Sequence, residues 1–277
     1  MDRMPQISIN DEVLLSYHRI GSGEPLVFVA GLGMDHLCWL YQIPFFQQYF
    51  DVIVFDNRGM GQSSLGSGAY SIEMMADDLA VLLQKLGIKK SHIIGSSMGG
   101  MIAQQYAINY PERVNKLLLC STFAKYKPFF NLINNNIREL FSFNGNTLFS
   151  LQANHFSFPS FFDFFIQQIF SSDFLSINDE LVKYTLKQYL STETYVQTFL
   201  KQLHAIYHHD TLDRLHHIVA ETLVLTGADD LLVPVACSTT LAQHIPHTTL
   251  QIIKNQGHVF HIEQPDLFNT CIIDFLK

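Results

Sequence analysis

The stretch "HIIGSSMGGMIAQQY", His92 to Tyr106, decides the fold. An apolar, β-branched run enters two adjacent serines, three glycines fall within the six positions of "GSSMGG", and apolar residues then continue at helical spacing. Gly95-Ser96-Ser97-Met98-Gly99 fits the pattern G-x-S-x-G, with Ser97 at its centre. A strand-to-helix turn this tight leaves no room for side chains two positions either side of the middle residue, which accounts for the glycines. The expected geometry aims Ser97 out of the carboxyl edge of a sheet and leaves Ser96 on the crowded side. The amide N–H of Met98, at the start of the helix, then faces an oxygen developing negative charge.

A serine hydroxyl is a poor nucleophile unless a base takes its proton, and a carboxylate on the base's other nitrogen fixes its tautomer. Of thirteen histidines, His258 in "KNQGHVF" follows the last strand-like run on a glycine-bearing loop, at the sheet edge expected to carry Ser97. Its nearest rival, His261, reads better as the first turn of a helix. "LTGADDLLVP" offers Asp229 and Asp230 at the end of the preceding strand; Asp230 is the preferred orienting acid, with Asp229 as a turn former or helix cap. The chain order Ser, Asp, His is that of a triad on an α/β-hydrolase sheet. A second oxyanion donor is expected from the glycine turn in "FVAGLGMDH", with the backbone N–H of Leu32 the foremost candidate.

Outward from this stretch, apolar runs alternate with helical patterns: "PLVFVAG", "FDVIVFD", "HIIGSS" and "VNKLLLCS" as strands, "SIEMMADDLAVLLQKLG" as the clearest helix. The rhythm resumes with strands "ETLVLTGA" and "TTLQIIKN", a helix near Ala236 to His244 and a last helix near Pro265 to Leu276. Such alternation predicts a mostly parallel sheet covered by helices on both faces. Between Thr122 and His217 the strand rhythm gives way to a phenylalanine-rich segment with helical spacing in "DELVKYTLKQYL" and "TETYVQTFLKQLHAIY". The expected organisation is therefore a core domain, residues 1–121 and 218–277, with a helical cap inserted at 122–217. The cap's rings either knit it to the core or line an apolar cavity over the sheet end.

The 277 residues are 48% hydrophobic, enough for a buried core. A formal charge of −8, from 17 basic and 25 acidic side chains, disfavours nucleic acid and anionic membranes as partners. No apolar run approaches the roughly 20 residues of a membrane span, and the first residues lack an export signal. The expectation is a cytoplasmic chain without membrane insertion. Cys38, Cys120, Cys237 and Cys271 are widely spaced and suit buried thiols rather than a metal or disulfide framework. His204 and His208, with Asp210 nearby, have metal-compatible helical spacing but no third ligand in an H-E-x-x-H pattern, so they read as ordinary cap residues. No metal and no nucleotide or other cofactor is implied.

Together, "GLGMDHLCW", "FDNRGMGQS", "GSSMGG", "YPERVNKLLL", "LVLTGADDLLVP" and "GHVFHIEQP" give a chain that resembles the α/β-hydrolase superfamily, of the compact bacterial esterase, enol-lactonase and perhydrolase type. The resemblance covers nearly all of the sequence outside the cap. It implies an acid four residues before the proline of G-x-x-D-x-x-x-P, which carries over to Asp230 before Pro234. It also implies that Asp56, Arg58 and Gly61 form a structural turn near the site. Ala30-Gly31 stands where many relatives have His-Gly, so the loop lacks the hydrogen bonds that histidine would make to steady it.

With serine rather than aspartate at the nucleophile position, the resemblance implies the acyl-transferring branch, hydrolysis of a carboxylic ester through an acyl-enzyme, and the aromatic-rich cap favours an uncharged or lipophilic acyl or alcohol group. A small-molecule ester is the expected substrate. Alternatives within the same chemistry are enol-lactone or carbon-carbon hydrolysis, perhydrolysis, and a methyl esterase acting on a pimeloyl chain held by acyl carrier protein. That acidic partner would need basic anchors, for which Arg138, Lys183 and Lys187 are available. A small-molecule sensor that keeps the triad is the non-enzymatic alternative.

Overall fold

The structure is a computed structural model that describes residues 3–125, 158–178, 180, 182 and 192–277. Arg138, Lys183 and Lys187, and residues 126–157 of the phenylalanine-rich segment, lie outside the described residues.

Eight strands form one sheet in the order β1-β2-β4-β3-β5-β6-β7-β8. They are β1 (Gln6–Ser8), β2 (Leu14–Gly21), β3 (Pro25–Val29), β4 (Asp51–Phe55), β5 (Ser91–Ser96), β6 (Val114–Cys120), β7 (Glu221–Gly227) and β8 (Thr248–Ile253). β1 and β2 pair antiparallel at one edge, β2 is antiparallel to β4, and all remaining pairs are parallel. The six strands read from continuous apolar runs are all present. β1 and β2 escaped that reading because neither carries such a run: β1 is a three-residue edge strand, and β2, "LLSYHRIG", has one partly wet face.

Helices cover both faces: α1 (Ile43–Phe46), α2 (Ile72–Lys85), α3 (Met98–Asn109), α4 (Phe158–Ile169), α5 (Glu193–Tyr207), α6 (Val235–His244), α7 (Phe260–Glu263) and α8 (Pro265–Leu276). Side chains alternate between two cores. Val27, Val29, Ile53, Ile93 and Leu117 pack with α2, α3, α5 and α6, whereas Leu26, Phe28, Val54, Ile94 and Leu118 pack with Trp39, Phe46, Phe260, Phe268 and Ile272. Among the described residues no helix is long and apolar enough to cross a membrane.

Strand order reverses at β3, which lies between β4 and β5. Loops leaving the carboxyl ends of β3 and β5 therefore diverge and open a crevice there. Val29 is in register with Gly95, which brings the loop after β3 alongside the Ser97 turn.

α2 illustrates how the crossovers are fastened. Ser71 caps its first turn by accepting from the Met74 N–H at 3.0 Å, and Gly87, with φ +73°, ends it. Asp78 on its buried face takes a two-pronged bond from Arg58, 2.6 Å from Nε and 2.5 Å from Nη2, with both side chains buried. Asp78→Ala is expected to cost about 3–5 kcal/mol in urea unfolding because it strands the Arg58 charge. Replacing the pair together, Arg58→Met with Asp78→Leu, should cost less than the single change.

Candidate active site

Ser97 sits between β5 and α3 with φ 55° and ψ −120°. Its N–H donates to the Cys120 carbonyl at 2.8 Å, and its carbonyl accepts from the Gly100 N–H at 2.9 Å and from Thr122 Oγ1 at 2.7 Å. The glycines do what the sequence pattern demands. A Cβ on Gly99 would collide with the Val29 carbonyl, and one on Gly95 with the Gly99 carbonyl. Ser96 points the other way, into a buried position beside the Cys120 thiol.

Three residues that are distant in sequence meet here. His258 Nε2 lies 3.0 Å from Ser97 Oγ, and His258 Nδ1 lies 2.8 Å from Asp230 Oδ2. The carboxylate accepts, so Nδ1 carries the ring proton and Nε2 is left to accept from the serine hydroxyl. The other Asp230 oxygen accepts from the N–H groups of Leu232, at 2.9 Å, and Val233, at 2.8 Å, which locks the carboxylate plane. His258 and Asp230 are buried. Asp229 is exposed and lines an outer cleft, and its own N–H closes the turn onto the Gln256 carbonyl.

Beside Ser97 the loop after β3 turns sharply: the Met34 N–H donates to the Gly31 carbonyl at 3.3 Å, and Gly33 has φ +69°. A Cβ on Gly31 would sit 4.0 Å from Ser97 Oγ, so this backbone runs close to the hydroxyl. Among the described residues, neither the Leu32 nor the Met98 N–H has a hydrogen-bond partner. Two free donors beside a serine can receive a developing oxyanion.

The remaining sequence candidates have other places. Asp56 accepts from the His36 N–H at 2.9 Å and the His36 ring at 2.7 Å, while its second oxygen takes the Gln62 N–H. Asp56 is thus a loop anchor, consistent with the expected structural turn. His36 went unread because its partner lies twenty residues on. Burial works against charge on His36, but the bond to Asp56 raises its pKa. Asp35, His36 and Asp56 could in principle surround a cation, yet their oxygens already serve backbone donors. His204 and His208 lie with ring centres 4.5 Å apart and their planes inclined at 56°, and Asp210 pairs with Lys125 instead.

A cleft of about 880 Å³ between α4 and the loops after β7 and β8 is lined by Ile166, Phe170, Leu175, Asp163, Asp173 and Asp229, among others. Ser97 is not in its wall, so the site is defined by the Ser97–His258–Asp230 contacts and not by this cleft.

A parallel sheet with this turn, and this serine, histidine and aspartate gathered at its carboxyl edge, defines a hydrolase of the α/β class. The chain belongs to the α/β-hydrolase fold family, whose model matches residues 24–265. It is 30% identical to 3-oxoadipate enol-lactonase 2 of Acinetobacter baylyi, over 96% of this chain and 94% of that one. It is 29% identical to a putative carbamate hydrolase, RutD, of Pantoea ananatis, over 92% of this chain and 88% of that one. The solved structure of Est816, described as an N-acyl homoserine lactone degrading enzyme, superposes with a TM-score of 0.81 at 27% identity, covering 98% of this chain and all of that one.

His261, the rival base, lies behind the site. It is fully buried against Trp39, 4.8 Å between ring centres, and Phe268, and among the described residues neither ring nitrogen has a hydrogen-bond partner. Burial first, and the neighbouring His258 second, push its pKa down to about 3. The unfolded chain, titrating near 6.5, takes up a proton that the folded chain refuses, so this stability is present above about pH 6.5 and is lost as pH falls towards the folded value. Between pH 7 and pH 5 the loss from this one group is on the order of 2 kcal/mol. His261→Phe is expected to show a correspondingly shallower fall in unfolding free energy across that interval.

Proposed function

We propose that the protein hydrolyses carboxylic esters through a serine acyl-enzyme. The observation that carries this reading is the unbroken chain of contacts from Ser97 Oγ to His258 Nε2 at 3.0 Å and from His258 Nδ1 to Asp230 Oδ2 at 2.8 Å. Ser97 Oγ attacks the carbonyl carbon as Nε2 takes its proton, and Asp230 stabilises the resulting imidazolium. The carbonyl oxygen becomes an oxyanion received by the N–H groups of Leu32 and Met98. Collapse breaks the bond to the leaving oxygen, which takes the proton back from His258. Water, deprotonated by His258, then attacks the acyl-enzyme and releases the acid with Ser97 restored. No step calls for a metal or an organic cofactor.

Residues 122–217 act as the cap in this reading, and the aromatic content of that segment favours an uncharged or lipophilic group on the substrate. The relatives act, by their names, on an enol-lactone, a carbamate and an N-acyl homoserine lactone. All three substrates present a carbonyl bonded to a heteroatom leaving group, which the same attack opens.

The test is a chain-length series of p-nitrophenyl esters, with one enol-lactone, one acyl homoserine lactone and one aryl carbamate added. Wild type should turn over at least one class, with kcat falling about 10,000-fold or more in Ser97→Ala. Undiminished hydrolysis by Ser97→Ala would sink the mechanism. No turnover of any substrate by wild type, together with a rise in Tm on ligand addition, would point to a binding protein that keeps the array.

A further inference from the structure

The buried stripe of α5 runs through Tyr195, Thr198, Phe199, Gln202, Leu203 and Ile206, a spacing of three and four residues. Three of the six are polar, and each of those three bonds to backbone of the core. Thr198 Oγ1 donates to the Gly59 carbonyl at 3.0 Å. The other two converge on a single residue, Gly33. Its N–H donates to Gln202 Oε1 at 2.9 Å, and its carbonyl accepts from the Tyr195 hydroxyl at 3.1 Å, both in buried surroundings. A Cβ at Gly33 would lie 2.8 Å from the Tyr195 oxygen and 2.9 Å from Phe199, so the loop and helix fit without slack.

These bonds bracket the peptide that carries the Leu32 N–H. Upstream, Asn57 Nδ2 donates to the Ala30 carbonyl at 3.1 Å and fixes the preceding peptide plane. Downstream, Gln202 fixes the Leu32–Gly33 plane and Tyr195 the plane after it. Among the described residues the Gln202 amide nitrogen has no hydrogen-bond partner although it is buried. A glutamine that leaves a donor unsatisfied is costly merely as a spacer, whereas its oxygen answers a buried N–H that an apolar residue would strand.

We propose that Gln202 and Tyr195 are positioning residues that hold the Leu32 N–H in the orientation that receives the oxyanion, which makes seating of α5 a condition of transition-state stabilisation. The proposal rests on the Ser97 acyl-enzyme reading. It assigns to α5 a part in the rate of the chemical step as well as in covering the sheet edge.

The test compares Gln202→Met, Gln202→Glu, Tyr195→Phe and a control outside the buried stripe of α5, Gln197→Ala at a half-buried position, with a p-nitrophenyl ester that wild type turns over. Readouts are kcat, KM, Tm and the inhibition constant of butylboronic acid, which forms a tetrahedral adduct on a reactive serine. Gln202→Met and Tyr195→Phe should each lower kcat by about tenfold, part of the 100-fold or more that loss of an oxyanion donor costs, with KM within about twofold. Boronate affinity should fall by a similar factor. Gln202→Glu keeps the acceptor oxygen and should recover most of kcat, and Gln197→Ala should match wild type. Unchanged kcat and boronate affinity in both Gln202→Met and Tyr195→Phe would overturn the proposal, as would a loss confined to KM. Should Gln202→Met fail to fold, Tyr195→Phe, which removes one oxygen, decides. Ser97→Ala in the same series separates the two levels: activity surviving there defeats the acyl-enzyme reading, whereas an inactive Ser97→Ala beside a fully active Tyr195→Phe and Gln202→Met defeats only the role of α5.

Discussion

Ser97 holds a backbone conformation, φ 55° and ψ −120°, that costs an L-residue on the order of 1–3 kcal/mol, and the surrounding elements are arranged so that no other conformation fits. β6 takes its N–H through the Cys120 carbonyl, α3 takes its carbonyl through the Gly100 N–H, and Thr122 adds a third bond. From the opposite side Val29 and Ala30 press so close to Gly99 that a single Cβ would be excluded. Strain of this kind persists only when several elements fix it together. Here β3, β5, β6 and α3 all do, which requires β5 to lie between β3 and β6 in the sheet.

The same crowding recurs where the histidine and aspartate are supplied. Gly227 ends β7 with its α-carbon against the backbone of Gln256 and Gly257, so the two loops after β7 and β8 are pressed together. Asp230 and His258 thereby meet across 28 positions of sequence at 2.8 Å. The carboxylate is spoken for by two N–H groups besides the imidazole, and burial excludes water that would compete for it. A serine on one loop and an imidazole on another are held at 3.0 Å because the parallel strands beneath keep regular register at their carboxyl ends, from Ile93–Ser96 of β5 through β6 and β7 to β8.

Legibility in the sequence follows from these causes. Largely buried parallel strands write themselves as apolar runs, and so β3 to β7 could be read; the half-buried edge strand β8 was legible from the β-branched residues of "TTLQII", whereas β1 and the half-wet β2 could not be read. Ser97, Asp230 and His258 were legible because each sits in a turn whose glycines, proline or position after a strand leave a local mark. His258 was separable from His261 by that position alone, and the structure puts His261 in an apolar pocket with Trp39. Contacts that join distant segments left no local mark. His36 beside Asp56 looked like any other histidine, and in "TETYVQTFLKQLHAIY" the helical period was plain while the partners of Tyr195, Thr198 and Gln202 were not.

The alanine at position 30 draws these threads together. Without a histidine there, the turn from Gly31 to Met34 has no side chain of its own to steady it, and an oxyanion donor that wanders gives up most of its advantage over water. The steadying bonds come instead from three anchors on two elements: Asn57 on the Ala30 carbonyl, Asp56 through His36, and α5 on Gly33. Two of these anchors belong to the turn after β4, and the third belongs to the segment between β6 and β7. A loop held this way is as rigid as the packing of its neighbours, so the polar residues within the buried stripe of α5 are there because the turn beside Ser97 needs partners that its own sequence does not provide.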